Sequence, residues 1–210
     1  MSIILWVVFI VAAIGIGTWL QRRRGRVPQE KVAKAKVPAL LEGVFVHPGH
    51  AWVEVLEPDL VAVGSDGFTK SVFGSVEELA LPEPGTIIQQ GGKAWKLRRG
   101  ERHLHQTSPI SGRVEEVNQD LARNPQAVTQ NGAENDWVLK VRPTRLKTEL
   151  KNLLHGSMLR RWNQSVKEQL VASLGLAEFP VLQEGGEIKP DLGNELTPEQ
   201  WEKIAGEFFG

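Results

Sequence analysis

Between Lys93 and His105 five basic side chains, Lys93, Lys96, Arg98, Arg99 and Arg102, stand against a single acid, Glu101, and His103 and His105 follow at strand spacing. Guanidinium forks match carboxylates and phosphates, so the chemistry this run offers is recognition of an acidic partner. A metal bound by His103 and His105 would lack a third ligand and sit among like charges, and no metal site is expected. The composition narrows the options further. The 210 residues include no Cys and no Tyr, which removes disulfides, iron–sulfur clusters, cysteine zinc sites, thiol nucleophiles and phenol acid–base chemistry. Five His and the carboxylates are left for proton transfer near neutral pH. With no nucleophile elbow, phosphate-binding loop, zinc motif or supported carboxylate pair, the sequence is not expected to encode an enzyme or a small-molecule site. Lys plus Arg equals Asp plus Glu at 25 each, so nothing global points to nucleic acid.

The elements that would position these residues begin after an apolar N-terminus. Ile3 to Leu20 is a run of 18 uncharged residues, long enough for about 27 Å of helix. Trp6 and Trp19 lie near its ends, and Arg22, Arg23, Arg24 and Arg26 follow it. This pattern predicts an uncleaved single-pass anchor over residues 1–21, with the N-terminus outside and the following chain on the cytoplasmic face of the inner membrane. Residues 22–38 read as a basic linker near anionic headgroups. From residue 39 the pattern becomes short β runs: residues 43–46, 51–55, 60–64, 76–81, 86–90, 93–97, 104–107, 112–117 and 137–141. Asp66 to Phe73 reads as a short helix capped by Ser65 or Asp66 and stopped by Gly74. Trp52 and Trp137 are expected in the core, and His47 and His50, flanking Pro48-Gly49, are expected to stabilise a turn. This is a mainly β fold with C-terminal α structure, a sandwich or flattened barrel over residues 39–144.

Within this region His50-Ala51-Trp52-Val53, Val63-Gly64, Leu81-Pro82-Glu83-Pro84-Gly85 with Gly91, Pro109-Ile110-Ser111-Gly112-Arg113-Val114 with Glu116-Val117-Asn118, and Asn124-Pro125 ahead of Trp137 occur in order. Taken together, they resemble the H protein of the glycine cleavage system, of the lipoyl/biotinyl-carrier type, over residues 50–144. The resemblance implies a lipoyl-carrier β fold and one lysine at a hairpin tip that carries lipoate as an amide and swings an aminomethyl group between enzymes. Counted ten residues on from Gly91 and eight back from Pro109, that position is Glu101, and Arg98 stands where the family tends to place an acid. A carboxylate cannot accept the amide, so no cofactor is expected; Lys96 and Lys93 are the fallback sites if a displaced lysine carries lipoate.

Beyond the β region, residues 145–175 show Leu146, Leu150, Leu154, Met158, Trp162, Val166, Leu170 and Leu174 at every fourth position, and Gly156 is placed to split them into two helices. Residues 176–210 are acidic, with eight acids against Lys189 and Lys203 from Ala177 on, and most of the stretch reads as an extended or disordered linker. They end in a helix beginning at Thr197-Pro198, with Trp201, Ile204, Ala205, Phe208 and Phe209 on one face. That helix would dock on a partner or fold back on its own core.

The expected function is a membrane-tethered, non-lipoylated adaptor or accessory subunit of a membrane complex. Its partner-binding residues would be Arg98, Arg99, Arg102, His103, His105, Trp201, Phe208 and Phe209, its partners the bilayer and protein. The alternatives are a working carrier for one-carbon transfer modified at Lys96 or Lys93, and an unmodified decoy for the carrier's enzymes.

Overall fold

Alternation decides which side of each strand is buried. In β2 (Ala51–Glu57) Ala51, Val53 and Val55 are buried and Glu54 and Leu56 exposed, the period-two signature of a half-buried strand. The computed structural model describes residues 43–129, 137–175, 182 and 186–209; the anchor predicted over 1–21 and the linker over 22–38 lie outside them. Among the described residues no helix is long and apolar enough to cross a membrane.

Among the described residues nine strands form two antiparallel sheets. The six-stranded sheet runs β1-β2-β3-β9-β8-β5, from β1 (Val44–His47), β2, β3 (Leu60–Ser65), β9 (Leu139–Pro143), β8 (Gly112–Val117) and β5 (Ile87–Ile88). The smaller sheet runs β4-β6-β7, from β4 (Glu78–Ala80), β6 (Lys93–Arg99) and β7 (Arg102–Thr107). Val53, Val63, Leu139 and Val141 from the first and Leu79, Trp95, Leu97 and Leu104 from the second join one core. β4 stops short of the expected run because Pro82 and Pro84 follow it, and proline donates nothing to a ladder. At the start of β8 the sheet closes tightly: a Cβ on Gly112 would lie 2.3 Å from the Arg142 carbonyl oxygen, so only glycine fits.

Helix α1 (Gly67–Phe73) starts where Asp66 accepts the Thr69 N–H at 2.8 Å and ends at Gly74 with φ +74°. A second short helix, α2 (Gln119–Arg123), is capped by Asn118. The C-terminal stripe is divided as expected at Gly156, into α3 (Leu146–Glu149) with a 3-10 turn over Leu150–Asn152, then α4 (Gly156–Leu174). Leu146, Leu150, Leu153, Val166, Leu170 and Leu174 are buried, whereas Met158 drifts to the surface at 50% exposure. Leu154 instead exchanges two main-chain hydrogen bonds with Val46, covering the outer edge of β1.

Two expectations are corrected here. Trp52 is half-buried, because the same parity that buries Ala51 and Val53 turns it outward, where it lies over Gly64. Trp137 is likewise half-buried ahead of β9, with the Lys140 ammonium 4.3 Å from its ring centroid. The indoles that join the core are Trp95, 2% exposed, and Trp201, 5% exposed. The other correction concerns the acidic linker. Its described part is packed rather than extended, with Leu192, Gly193 and Leu196 buried beside a 3-10 turn over Leu192–Asn194.

One buried acid locks the turns that precede β6 and β8. Glu149, 3% exposed, accepts the Ser111 N–H at 2.7 Å through Oε2, while Oε1 lies 3.0 Å from the Arg145 guanidinium. Its main-chain carbonyl accepts from Gln90 Nε2 at 3.0 Å. Glu149→Ala strands the Ser111 N–H and is expected to lower unfolding free energy by about 2 kcal/mol in urea titration, with the native circular dichroism retained; a change under about 0.5 kcal/mol would contradict this role.

Candidate functional site

The basic run forms the β6–β7 hairpin. Its register pairs Arg99 with Arg102 and Arg98 with His103, leaving Gly100 and Glu101 as a two-residue turn at the tip. Gly100 has φ +52°, a left-handed conformation that glycine takes freely, and its N–H donates to Glu77 Oε2 at 2.9 Å. Glu101 is exposed, as are His103 and His105, whose rings stand 6.3 Å apart on one face of β7.

Parity separates the three arginines that were expected to act together. Arg98 points outward and pairs with Glu78, Nη2 to Oε2 at 2.6 Å. Arg99 and Arg102 point the other way, onto the segment before the last helix. Arg102 Nη1 donates to the Gly193 carbonyl at 2.6 Å and Nη2 to that of Leu196, while Arg99 Nη1 donates to Asn194 Oδ1. The same Asn194 oxygen accepts the Ser75 N–H at 3.1 Å, so one amide joins the hairpin to the end of α1. Burial, and then the charge of Arg99, bring the Arg102 pKa below its ordinary value.

Helix α5 (Pro198–Phe208) follows, with the expected capping box of Thr197 and Gln200. It folds back on its own chain. Trp201 and Ile204 are buried, Trp201 meets Phe73 edge-on at 5.3 Å, and the Arg102 guanidinium lies 5.9 Å from the indole centroid. Of the residues expected to bind a partner, Trp201, Phe208 and Phe209 are thus engaged within this chain. A shallow groove of about 420 Å³ remains between tip and helix, lined by Arg99, Glu101, Arg102, His103, Pro198 and Trp201.

A second cluster escaped the sequence reading. His50, 1% exposed with φ +61°, sets its Nδ1 2.8 Å from Asp66 Oδ2, the carboxylate that also caps α1. Its ring stacks on Phe68 at 4.1 Å and meets Trp162 at 4.8 Å and Phe209 at 5.3 Å. The expected turn role holds for both histidines: His47 Nδ1 accepts the Gly49 N–H at 2.9 Å and the His47 carbonyl accepts from His50. A signal for the cluster was present in the cap position of Asp66, since a capping carboxylate has a second oxygen to give. Among the described residues no group of three His, Cys, Asp or Glu could hold a metal ion.

Comparison with known proteins places this geometry. Residues 44–183 match the family described as "Glycine cleavage H-protein". The "Probable glycine cleavage system H protein" of Pyrococcus furiosus is 32% identical over 113 residues, spanning 54% of this chain and 84% of its own. The "Glycine cleavage system H protein" of Geobacillus sp. is 33% identical over 119 residues, 57% of this chain and 90% of its own. Among solved structures, that of a glycine cleavage system H protein from Mycobacterium marinum aligns with a TM-score of 0.45 at 22% identity, over 51% of this chain and 87% of that one.

Two measurements check the site. Arg102→Ala removes the donor from two carbonyls and is expected to cost about 2 kcal/mol of stability in denaturant titration; a loss below about 0.5 kcal/mol would make the clasp incidental. The pH dependence rests on His47, whose pKa is lowered from 6.5 by burial and by His50. The unfolded chain therefore binds the proton first as pH falls, and stability declines below about 6.5 until the folded-state pKa is passed. His105, lowered by burial and by Lys93, Lys96 and His103, acts with the same sign. The melting temperature is expected to drop from pH 7.5 to 5.5, and to drop less in His47→Asn, which keeps the turn acceptor; an unchanged drop would remove His47 from this account.

Proposed function

The chain belongs to the glycine cleavage H-protein family, and from that membership we propose that it is a non-catalytic adaptor, an accessory subunit of a membrane complex, tethered by residues 1–21 and free of lipoate. The observation that carries the reading is the residue at the hairpin tip. Members of this family normally carry lipoate, and attachment requires an amine, whereas the tip turn consists of Gly100 and Glu101. The residues present at the tip do not fit the group. The lysines nearest in sequence, Lys96 and Lys93, lie within β6, opposite His105 and Thr107, and not at the turn.

The clasp supports the same reading. The tip is tied through Arg99 and Arg102 to Asn194, Gly193 and Leu196, which makes the hairpin a fixed platform. A platform suits an adaptor. The tether is argued from the 18-residue apolar run and the arginines after it; on this reading the carrier-like domain lies on the cytoplasmic face of the inner membrane.

The test is the intact mass of the full chain taken from its native membranes in mild detergent, together with the identity of whatever co-purifies in stoichiometric amount. An unmodified mass with a membrane-protein partner is the expected result. A lipoyl increment on Lys96 or Lys93 would overturn it and return the chain to carrier chemistry. Recovery with the glycine decarboxylase or aminomethyltransferase instead of a membrane complex would favour a decoy.

A further inference from the structure

The hairpin has two faces and the clasp uses only one. On the outward face of the three-stranded sheet β6 contributes Lys96 and Arg98 and β7 contributes His103 and His105, with Lys93 close enough to act on His105. Glu78 from β4 with Glu77 just before it, Glu101 from the turn, and Glu202 of α5 across the groove from His103 are the acids near this face. β7 is an edge of its sheet among the described residues. Because the Arg99–Arg102 pair closes the two-residue turn, ladder alternation directs the main-chain N–H and C=O groups of His103 and His105 to the open side.

We infer that this edge and face take up an acidic, extended segment of a protein partner, which pairs its main chain with β7 and sets alternate carboxylates over His103, His105, Lys96 and Arg98. The inference rests on the adaptor reading and names the chemistry of the partner. A β edge can be extended only by another polypeptide, and period two puts every second side chain of an added strand on the basic face. Charge decides among the possible strands. A second copy of β7 would bring cation against cation, the usual guard against self-pairing, whereas an acidic strand is complementary. Glu78 and Glu101 bound the patch at β4 and at the tip, a pattern that gives a strand its register and that a uniformly anionic leaflet would meet with local repulsion.

Binding of this kind depends on pH. Burial, and then the charges of Lys93, Lys96 and His103, which it faces, keep the His105 pKa below the ordinary histidine value in the free protein. Carboxylates laid over the face favour the protonated ring, and proton uptake is therefore linked to docking.

The test uses the full chain in detergent, at about 50 mM salt so that screening stays moderate, with a fluorescent ten-residue peptide of alternating glutamate and threonine as probe. Anisotropy is expected to report binding about tenfold tighter at pH 5.5 than at pH 7.5, one pKa unit of linkage at one histidine. The double variant His103→Gln/His105→Gln is expected to lose that ratio, and Lys96→Glu/Arg98→Glu to lose binding. Arg123→Glu, on exposed α2, should change neither, and matching circular dichroism and melting temperatures exclude misfolding as the cause. Peptide binding that both double variants leave intact overturns the inference. So does binding to vesicles of equal phosphatidylglycerol and phosphatidylcholine with the same sensitivities while the peptide fails to bind. The adaptor reading is decided separately, by the intact mass and the co-purified chain.

Discussion

A main chain that runs into a core outside helix or sheet must still satisfy its carbonyls, and this requirement organises the C-terminal half of the molecule. Leu192 and Leu196 are buried on a segment with no strand partner beside them, and burial of two leucines is worth about 1.5–3 kcal/mol each only if the intervening polar groups find donors. Arg102 supplies them to Gly193 and Leu196. Gly193 itself can sit there because it lacks a side chain: a Cβ would come within 2.2 Å of the Val72 carbonyl oxygen. From that contact follow the placement of α5 against Phe73, the fixed hairpin tip and the direction in which the remaining basic side chains point.

The same economy appears around Asp66. One oxygen caps α1 and the other holds His50, so helix start and buried ring share a single charge. The His50 ring then provides the flat surface on which Phe68 and the end of α5 converge. The two ends of the terminal segment are thus anchored by different physics: an arginine fork on carbonyls at one end, stacked rings at the other.

Most of the β architecture was legible from alternation and punctuation alone. Strands appeared where apolar residues alternated, α1 where Asp66 and Gly74 could cap and stop it, and the break in the C-terminal stripe at Gly156. What misled were residue types read without parity. Trp52 was assigned inward for its size, yet its neighbours Ala51 and Val53 already occupied the inner face; Trp95, beside Leu97 in a strand that also carries Lys93, Lys96, Arg98 and Arg99, took a buried place. Arg98, Arg99 and Arg102 read as one patch because they are close in sequence, and a strand separates adjacent side chains onto opposite faces. The terminal segment was hidden for another reason. The apolar face of its helix was legible at Trp201, Ile204 and Phe208, but the acidic composition of the stretch before it describes only that stretch's exposed half, and Leu192 and Leu196, set across a turn, carry no period that marks them as core.

Asn194 meets Ser75 across 119 residues of chain. During synthesis α1 and the hairpin are therefore complete long before the segment that covers them exists, and the apolar side of Phe73 and the inward arginines wait uncovered through that interval. Contacts of such long range carry a large loop-closure cost, and on the growing chain this flank stays open until the segment around Asn194 has been made. A cell that makes it must keep that flank from other chains in between, which makes the timing of synthesis, and not only the final energy, part of how the fold is achieved.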